Sequence, residues 1–207
     1  MTVVEAYVDV LCPWCWIGKR RLDAALGGLS GPRPEIVWRA YELDPDAGRS
    51  PGPTAAEAMA RWWGDRAEAR VRRIRELGAA EGLDLDLHRA RPVNTFDAHR
   101  LCRLAGERGL AGPMLERLLR AYHSQGRDVA DPHTLRDLAT EVGLDDAEVR
   151  VLLDGDRYAD EVRADRRRAV ERGVTGVPTL VVGDHAPVPG IQPVGRLRDL
   201  MAAARTG

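Results

Sequence analysis

The first forty-odd residues carry the pattern that most narrows what this chain can fold into: strand, helix, strand. Val3 to Val10 (VVEAYVDV) is β-branched, aromatic and mostly apolar, and of strand length. Trp16 to Leu26 reads as an amphipathic helix, with Pro13 suited to its first turn, where a missing N–H costs nothing, and Gly27-Gly28 ending it. Glu35 to Leu43 (EIVWRAYEL) reads as a second strand. Two strands joined through a helix in this way pair in parallel through a right-handed crossover.

Asp44 to Pro53, with three prolines and two glycines, marks a boundary. Thr54-Ala55-Ala56-Glu57 is a capping-box signal for one long Ala/Arg/Glu-rich helix reaching about residue 81. Helices are expected at about 95–108, 113–124, 133–142, 145–153 and 157–172, where Leu101, Leu104 and the Leu115/Leu118/Leu119/Tyr122 set recur at helical spacing. Val177 to Val182 returns to strand, 186–191 reads as a short edge strand broken by two prolines, and 194–204 as a closing helix. Neither the front βαβ nor the back ββα can bury its sheet alone. The expectation is therefore an α/β fold in which residues 1–53 and 173–207 form one four-stranded layer, interrupted by an all-α insertion at 54–172.

Charge and length exclude several function classes. With 31 basic and 32 acidic side chains in 207 residues, bulk attraction to nucleic acid or an anionic membrane is absent. No run of eighteen apolar residues suggests a membrane span. The N-terminus shows no basic region followed by a long apolar stretch, so a reducing cytoplasm is the expected location.

Three cysteines are too few for a disulfide scaffold, but two of them form Cys12-Pro13-Trp14-Cys15 between the first strand and its helix. A cysteine at a helix N-terminus meets unpaired N–H groups and the positive end of the dipole, which stabilise a thiolate. Cys12 is accordingly expected to be exposed and nucleophilic, and Cys15, one turn inward, to be the buried resolving thiol. A zinc site would want a second close pair of ligands, and only Cys102 and five scattered histidines remain, so no metal is expected. A structural disulfide, or two inert buried cysteines, stays as the blander alternative. The second signal is Gly173-Val174-Thr175-Gly176-Val177-Pro178-Thr179-Leu180, where a proline opening an apolar strand fits an edge position and permits a cis peptide at Val177-Pro178. Cys102 is expected in a helical core, Asn94-Thr95 as a helix cap, and His99 as solvated or capping. The Arg163/Arg166/Arg167/Arg168/Arg172 run, interleaved with Glu161, Asp165 and Glu171, reads as a solvated face. Trp62 and Trp63 cannot share one helical stripe, so one is expected inside and the other in a cleft beside the α/β layer.

Through these two sites the chain resembles the thioredoxin-fold superfamily, and within it the cytoplasmic DsbA-like branch related to FrnE polyketide-biosynthesis proteins. The resemblance covers nearly the whole chain. It rests on the run from Val8 to Leu22 around Cys12-Pro13-Trp14-Cys15, on Tyr41-Glu42-Leu43-Asp44-Pro45, on Asn94-Thr95-Phe96-Asp97-Ala98-His99-Arg100-Leu101, on Gly173 to Thr179, and on Pro189-Gly190-Ile191-Gln192. It implies a thioredoxin-like fold with a helical insertion and thiol–disulfide oxidoreductase or disulfide-isomerase activity. Cys12 would be the nucleophile, Cys15 the resolving thiol, and Pro178 the cis-proline facing them. Val177 would then pair its backbone with a peptide or glutathione, and Asn94 and His99 are candidate substrate or glutathione contacts. No bound cofactor is implied beyond the Cys12–Cys15 couple, with glutathione as a candidate co-substrate. The implied partners are disulfide-containing proteins or small thiols and a recycling reductant, with the chain a monomer or homodimer. One departure matters. DsbA has histidine where this chain has Trp14, and a neutral indole lacks an imidazolium's field, so a less oxidising disulfide is expected. Two other readings stay open: a glutathione-dependent isomerase or transferase resembling hydroxychromene-carboxylate isomerases and kappa-class transferases, and a non-catalytic binding or chaperone module. The former relatives typically have serine at the first active position, which the Cys12/Cys15 pair argues against.

Overall fold

In the first strand, side chains alternate between the two sides of a sheet, and what each side meets sets the architecture of the unit that holds it. The computed structural model describes residues 3–204. In chain order its elements are β1 (Val3–Val8), α1 (Pro13–Gly27), β2 (Glu35–Ala40), α2 (Ala55–Trp63), α3 (Arg66–Ala80), α4 (Phe96–Gly106), α5 (Ala111–His123), α6 (Pro132–Val142), α7 (Asp146–Asp154), α8 (Ala159–Glu171), β3 (Thr179–Val182), β4 (Val188–Pro189) and α9 (Val194–Ala203). The chain separates into two compact units, Met1–Leu43 with Arg163–Gly207, and Asp44–Val162.

The first unit is a mixed sheet of order β2-β1-β3-β4. β1 and β2 are parallel, from Val3↔Glu35 to Val8↔Ala40, as a strand–helix–strand sequence requires. β3 runs antiparallel to both β1 and β4. On one side of the sheet Val4 and Ala6 pack with Leu180 and Val182 against Leu22 and Ala25 of α1 and Leu197 and Met201 of α9. On the other side Tyr7 and Val181 meet Ala169 of α8 and Val174. This is the thioredoxin-like layer, and the remaining chain supplies its helical insertion.

The second face also holds charge that the sequence pattern assigns to solvent. Glu5 is buried in β1, and its carboxylate accepts from Arg39 Nε at 2.8 Å and Arg168 Nε at 2.6 Å. Asp165 is buried too, accepting from the Ala40 N–H at 2.9 Å and from Arg39 at 3.2 Å. Asp165 is therefore part of the sheet's packing and corrects the expected solvated face, whereas Arg163, Arg166, Arg167 and Arg168 are exposed as expected, Arg168 with its guanidinium turned to Glu5. Burial alone would raise the Glu5 carboxyl, but hydrogen bonds from Arg168 and Arg39 outweigh it and hold it below the usual carboxylate range.

The helical unit opens on Thr54, whose hydroxyl accepts from the Glu57 N–H while Glu57 accepts from the Thr54 N–H, the reciprocal box expected there. The helix it starts is shorter than the expected run to about residue 81. Gly64, with φ of 52°, ends α2, and α3 begins at Arg66. Successive helices from α4 to α7 then pack in order. Leu101, Leu104, Leu115, Leu118, Leu119 and Tyr122 are all buried, so the spacing marked the core correctly. The two tryptophans correct the expectation that one lies inside. Both are exposed, Trp62 at 70% and Trp63 at 40%, stacked edge to face with Arg70 over the Trp63 ring. Neighbouring positions on one short helix cannot both be turned inward, and here neither is.

Cys102 lies on α4, and burial pushes its thiol up to about 12, with only the charge of Arg103 opposing. An unfolded thiol ionises near about 8.5. Between these limits the unfolded chain releases a proton that the folded chain keeps, so this group's contribution to stability falls as pH rises, by about 1.4 kcal/mol per pH unit. In urea unfolding of the reduced protein, Cys102→Ala is expected to lose that slope above about pH 8.5. A gap between wild type and variant that stays constant with pH would show that the thiol is not its source.

Candidate active site

The site forms where β1 ends. The chain turns at Asp9, the Cys12 N–H donates to the Asp9 carbonyl at 3.2 Å, and Cys12 caps α1 with extended backbone angles (φ −85°, ψ 109°). Pro13 takes the first helical position, where it sacrifices no hydrogen bond, and the Cys15 N–H donates to the Cys12 carbonyl at 3.0 Å. This tight turn brings the two side chains together, close enough for the Cys12 side chain to oppose ionisation of Cys15. Both are free cysteines.

The thiols have unlike environments. Cys15 has no exposed surface, and its sulfur accepts from the Asp9 N–H at 3.4 Å. Burial pushes the Cys15 thiol well above the ordinary range; the Cys12 side chain and the field of Asp9 add to this, while the Asp9 N–H opposes it. Cys12 is at the helix N-terminus as expected, but it is not exposed. It keeps 4% of its surface because its thiol turns inward and donates to the Val177 carbonyl at 3.6 Å. Pro13 and Trp14, between the two cysteines, are partly exposed.

The second segment meets the first across the sheet. The Val177–Pro178 peptide is cis. Thr179 pairs with Tyr7, and its hydroxyl donates to the Gly176 carbonyl at 2.6 Å, which fixes the turn leading into β3. The Gly190 N–H donates to the Pro178 carbonyl at 2.8 Å. Cys12, Cys15, Val177 and Pro178 are thus gathered in one place.

Asn94 and His99 belong to the helical unit, where Asn94, and not Thr95, supplies the side chain of the expected Asn94-Thr95 cap. Thr95 makes no side-chain capping bond. Asn94 instead accepts from the Phe96 N–H at 3.0 Å, and its amide donates to the Pro45 carbonyl at 3.3 Å. His99 is buried at 3% exposure, not solvated. Among the described residues no group of three or more His, Cys, Asp or Glu side chains is gathered to hold a metal ion.

Three contributors escaped the sequence reading. Asp9 is fully buried behind Cys15, and its carboxylate accepts from the Leu43 N–H at 2.8 Å. Nothing in a strand-like run distinguishes such an acid from a solvated one. Gly18 and Gly190 both press on Pro178. For Gly18 a signal existed, because glycine inside a helix costs about 1 kcal/mol against alanine and usually has a packing reason.

The DSBA-like thioredoxin domain model matches residues 3–202. A probable DsbA oxidoreductase of Streptomyces coelicolor is 35% identical, with a TM-score of 0.90 over 99% of this chain and 90% of that one. The uncharacterized protein YwbO of Bacillus subtilis (strain 168) is 27% identical over 193 residues, covering 92% of this chain and 91% of its own. The cytosolic disulfide reductase DsbM of Pseudomonas aeruginosa, solved with glutathione, has the same fold at 19% identity, with a TM-score of 0.68 over 99% and 98% of the two chains.

The negative field of Asp9 on Cys15 is testable with an isosteric amide that still accepts from Leu43. In a Cys12→Ser background, Asp9→Asn removes a charge that opposes ionisation, so Cys15 should ionise at lower pH when followed by thiolate absorbance. An unchanged or upward titration would contradict this assignment.

Proposed function

The chain belongs to the DSBA-like thioredoxin domain family, and from that membership we propose that it is a thiol–disulfide oxidoreductase of the FrnE-like cytoplasmic branch. Cys12 is the attacking thiolate and Cys15 the resolving thiol. The observation that carries the reading is the asymmetric pair: Cys12 at the helix N-terminus against the Val177 carbonyl, and a fully buried Cys15 one turn further in, its sulfur on the Asp9 N–H.

The electron count closes on these two sulfurs. The Cys12 thiolate attacks one sulfur of a substrate disulfide, the substrate S–S bond breaks, and one substrate thiolate leaves and takes up a proton. Cys15 then loses its proton and attacks the Cys12 sulfur, which expels the second substrate thiolate and closes the Cys12–Cys15 disulfide. Two electrons have passed to the substrate, and the reverse sequence oxidises a dithiol. A thiol held protonated by burial suits the resolving role, because it does not compete with Cys12 for the first attack.

The substrates proposed are disulfide-containing proteins and small disulfides. A peptide would lie along the Val177–Pro178 segment by pairing with backbone in strand fashion. Glutathione is the proposed co-substrate and recycling reductant, supported by its presence in the DsbM structure. That relative's cytosolic location supports the same compartment here, and no helix among the described residues is long and apolar enough to cross a membrane. A glutathione-dependent isomerase on this fold would have no use for the second thiol, so the buried Cys15 favours dithiol exchange.

Turnover of a protein disulfide such as insulin with a thiol reductant tests the assignment. Cys12→Ser should abolish it, and Cys15→Ser should accumulate a mixed disulfide on Cys12. Wild-type inactivity in reduction, oxidation and isomerisation alike would overturn the proposal. The potential of the couple tests the part played by Trp14. Trp14→His places a chargeable ring beside the thiolate, stabilises the reduced form and should raise the potential by about 30 mV or more, one decade in the exchange constant.

A further inference from the structure

Gly18 stands in the interior of α1, three residues beyond Cys15, where alanine would be the better helix former by about 1 kcal/mol. Its backbone is ordinary right-handed helix, so no torsion calls for glycine. The call is steric. A Cβ at Gly18 would lie 3.1 Å from Pro178 Cγ and 3.2 Å from the Gly190 carbonyl oxygen, and Ile191 Cδ1 would close the space at 3.5 Å. From the opposite side, a Cβ at Gly190 would lie 2.9 Å from Pro178 Cβ and 3.1 Å from both its carbonyl carbon and oxygen. Pro178 is therefore seated between two glycines, one on the helix that carries the thiols and one just past β4.

We propose that Gly18 and Gly190 are positioning residues for disulfide exchange with polypeptides, setting how closely the Val177–Pro178 backbone approaches α1. This rests on Cys12 being the nucleophile. The Cys12 thiol donates to the Val177 carbonyl at 3.6 Å, so the position of this segment is felt directly at the thiol. A methyl at position 18 forces the Pro178 ring and the Gly190 carbonyl, whose residue is hydrogen-bonded to Pro178, to give by a few tenths of an ångström. That displaces the backbone against which a peptide would align while leaving both sulfurs on their own helix. Rates of positioned reactions are steep in such offsets, with about 1 Å costing about a hundredfold. A small disulfide has no chain to align, so its exchange does not depend on this seat.

The two substrate classes therefore separate positioning from structure. With full-length reduced protein, Gly18→Ala should lower kcat/KM for reduction of insulin by about tenfold. Reduction of a small acyclic disulfide, 2-hydroxyethyl disulfide, should stay within about twofold of wild type. Gly195→Ala, an exposed glycine in α9 with nothing within 4 Å of its added methyl, serves as the control and should change neither. A double-mutant cycle with Pro178→Ala, which deletes the atom nearest the new methyl, should show that the loss from Gly18→Ala shrinks in the truncated background. Equal losses on both substrates, no loss on either, or a variant that merely unfolds would overturn the proposal. Undiminished insulin reduction by Cys12→Ser would instead overturn the assignment of the nucleophile.

Discussion

The antiparallel pairing of β1 with β3 is the interaction on which the site depends. The cysteine motif and the proline segment are separated by 165 residues between Cys12 and Val177, and no local propensity can bring them together. The register Tyr7↔Thr179 does so, because each segment leaves its strand at the same end of the sheet. A slip of one residue would turn Val181 and Leu180 to opposite faces and separate the two halves of the core. Both faces are buried, so the register is specified twice, by Val4 and Ala6 on one side and by Tyr7 on the other.

Once that pairing exists, the chemical difference between the two thiols follows from the helix geometry. Cys12 caps α1, while Cys15 is one turn in, with its sulfur taking an N–H from Asp9 and no surface to reach solvent. Burial adds to the difference that position on the helix already sets, pushing the Cys15 thiol well above the ordinary range. The contact between the Cys12 thiol and the Val177 carbonyl links this dipeptide-scale chemistry to the strand that receives a substrate backbone in the proposed function.

Much of this was legible because it is local. Alternation in Val3–Val8, the proline at the head of α1 and the leucine spacing of α4 and α5 each report a periodicity that short sequence windows contain. The motif Cys12-Pro13-Trp14-Cys15 carried the site because strand and helix flank it. What was not legible is what depends on partners distant in sequence. Asp165 sits in a charged helical run that looks solvated, and only the approach of Arg39 and the Ala40 N–H makes it interior, while its neighbour Arg168 stays exposed and reaches in to Glu5. The inward turn of Cys12 depends in the same way on Val177, and the split of the long helix depends on one glycine, Gly64, whose positive φ a propensity sum does not foresee.

The buried charges beneath the sheet deserve a physical reason for their place, since replacing such a network with apolar groups often leaves stability unchanged or improved. Their value is better sought in geometry. Asp165 accepts the last N–H of β2, at Ala40, and the next, at Tyr41, donates to the Val8 carbonyl. Two residues on, the Leu43 N–H donates to Asp9, whose own N–H faces the Cys15 sulfur. An apolar substitute for Asp165 could fill the volume but could not hold the Ala40 N–H, and a strand edge left without an acceptor would free the segment that orients Asp9. The network thus fixes the direction in which β2 leaves the sheet, and through Leu43 and Asp9 that direction reaches the buried thiol.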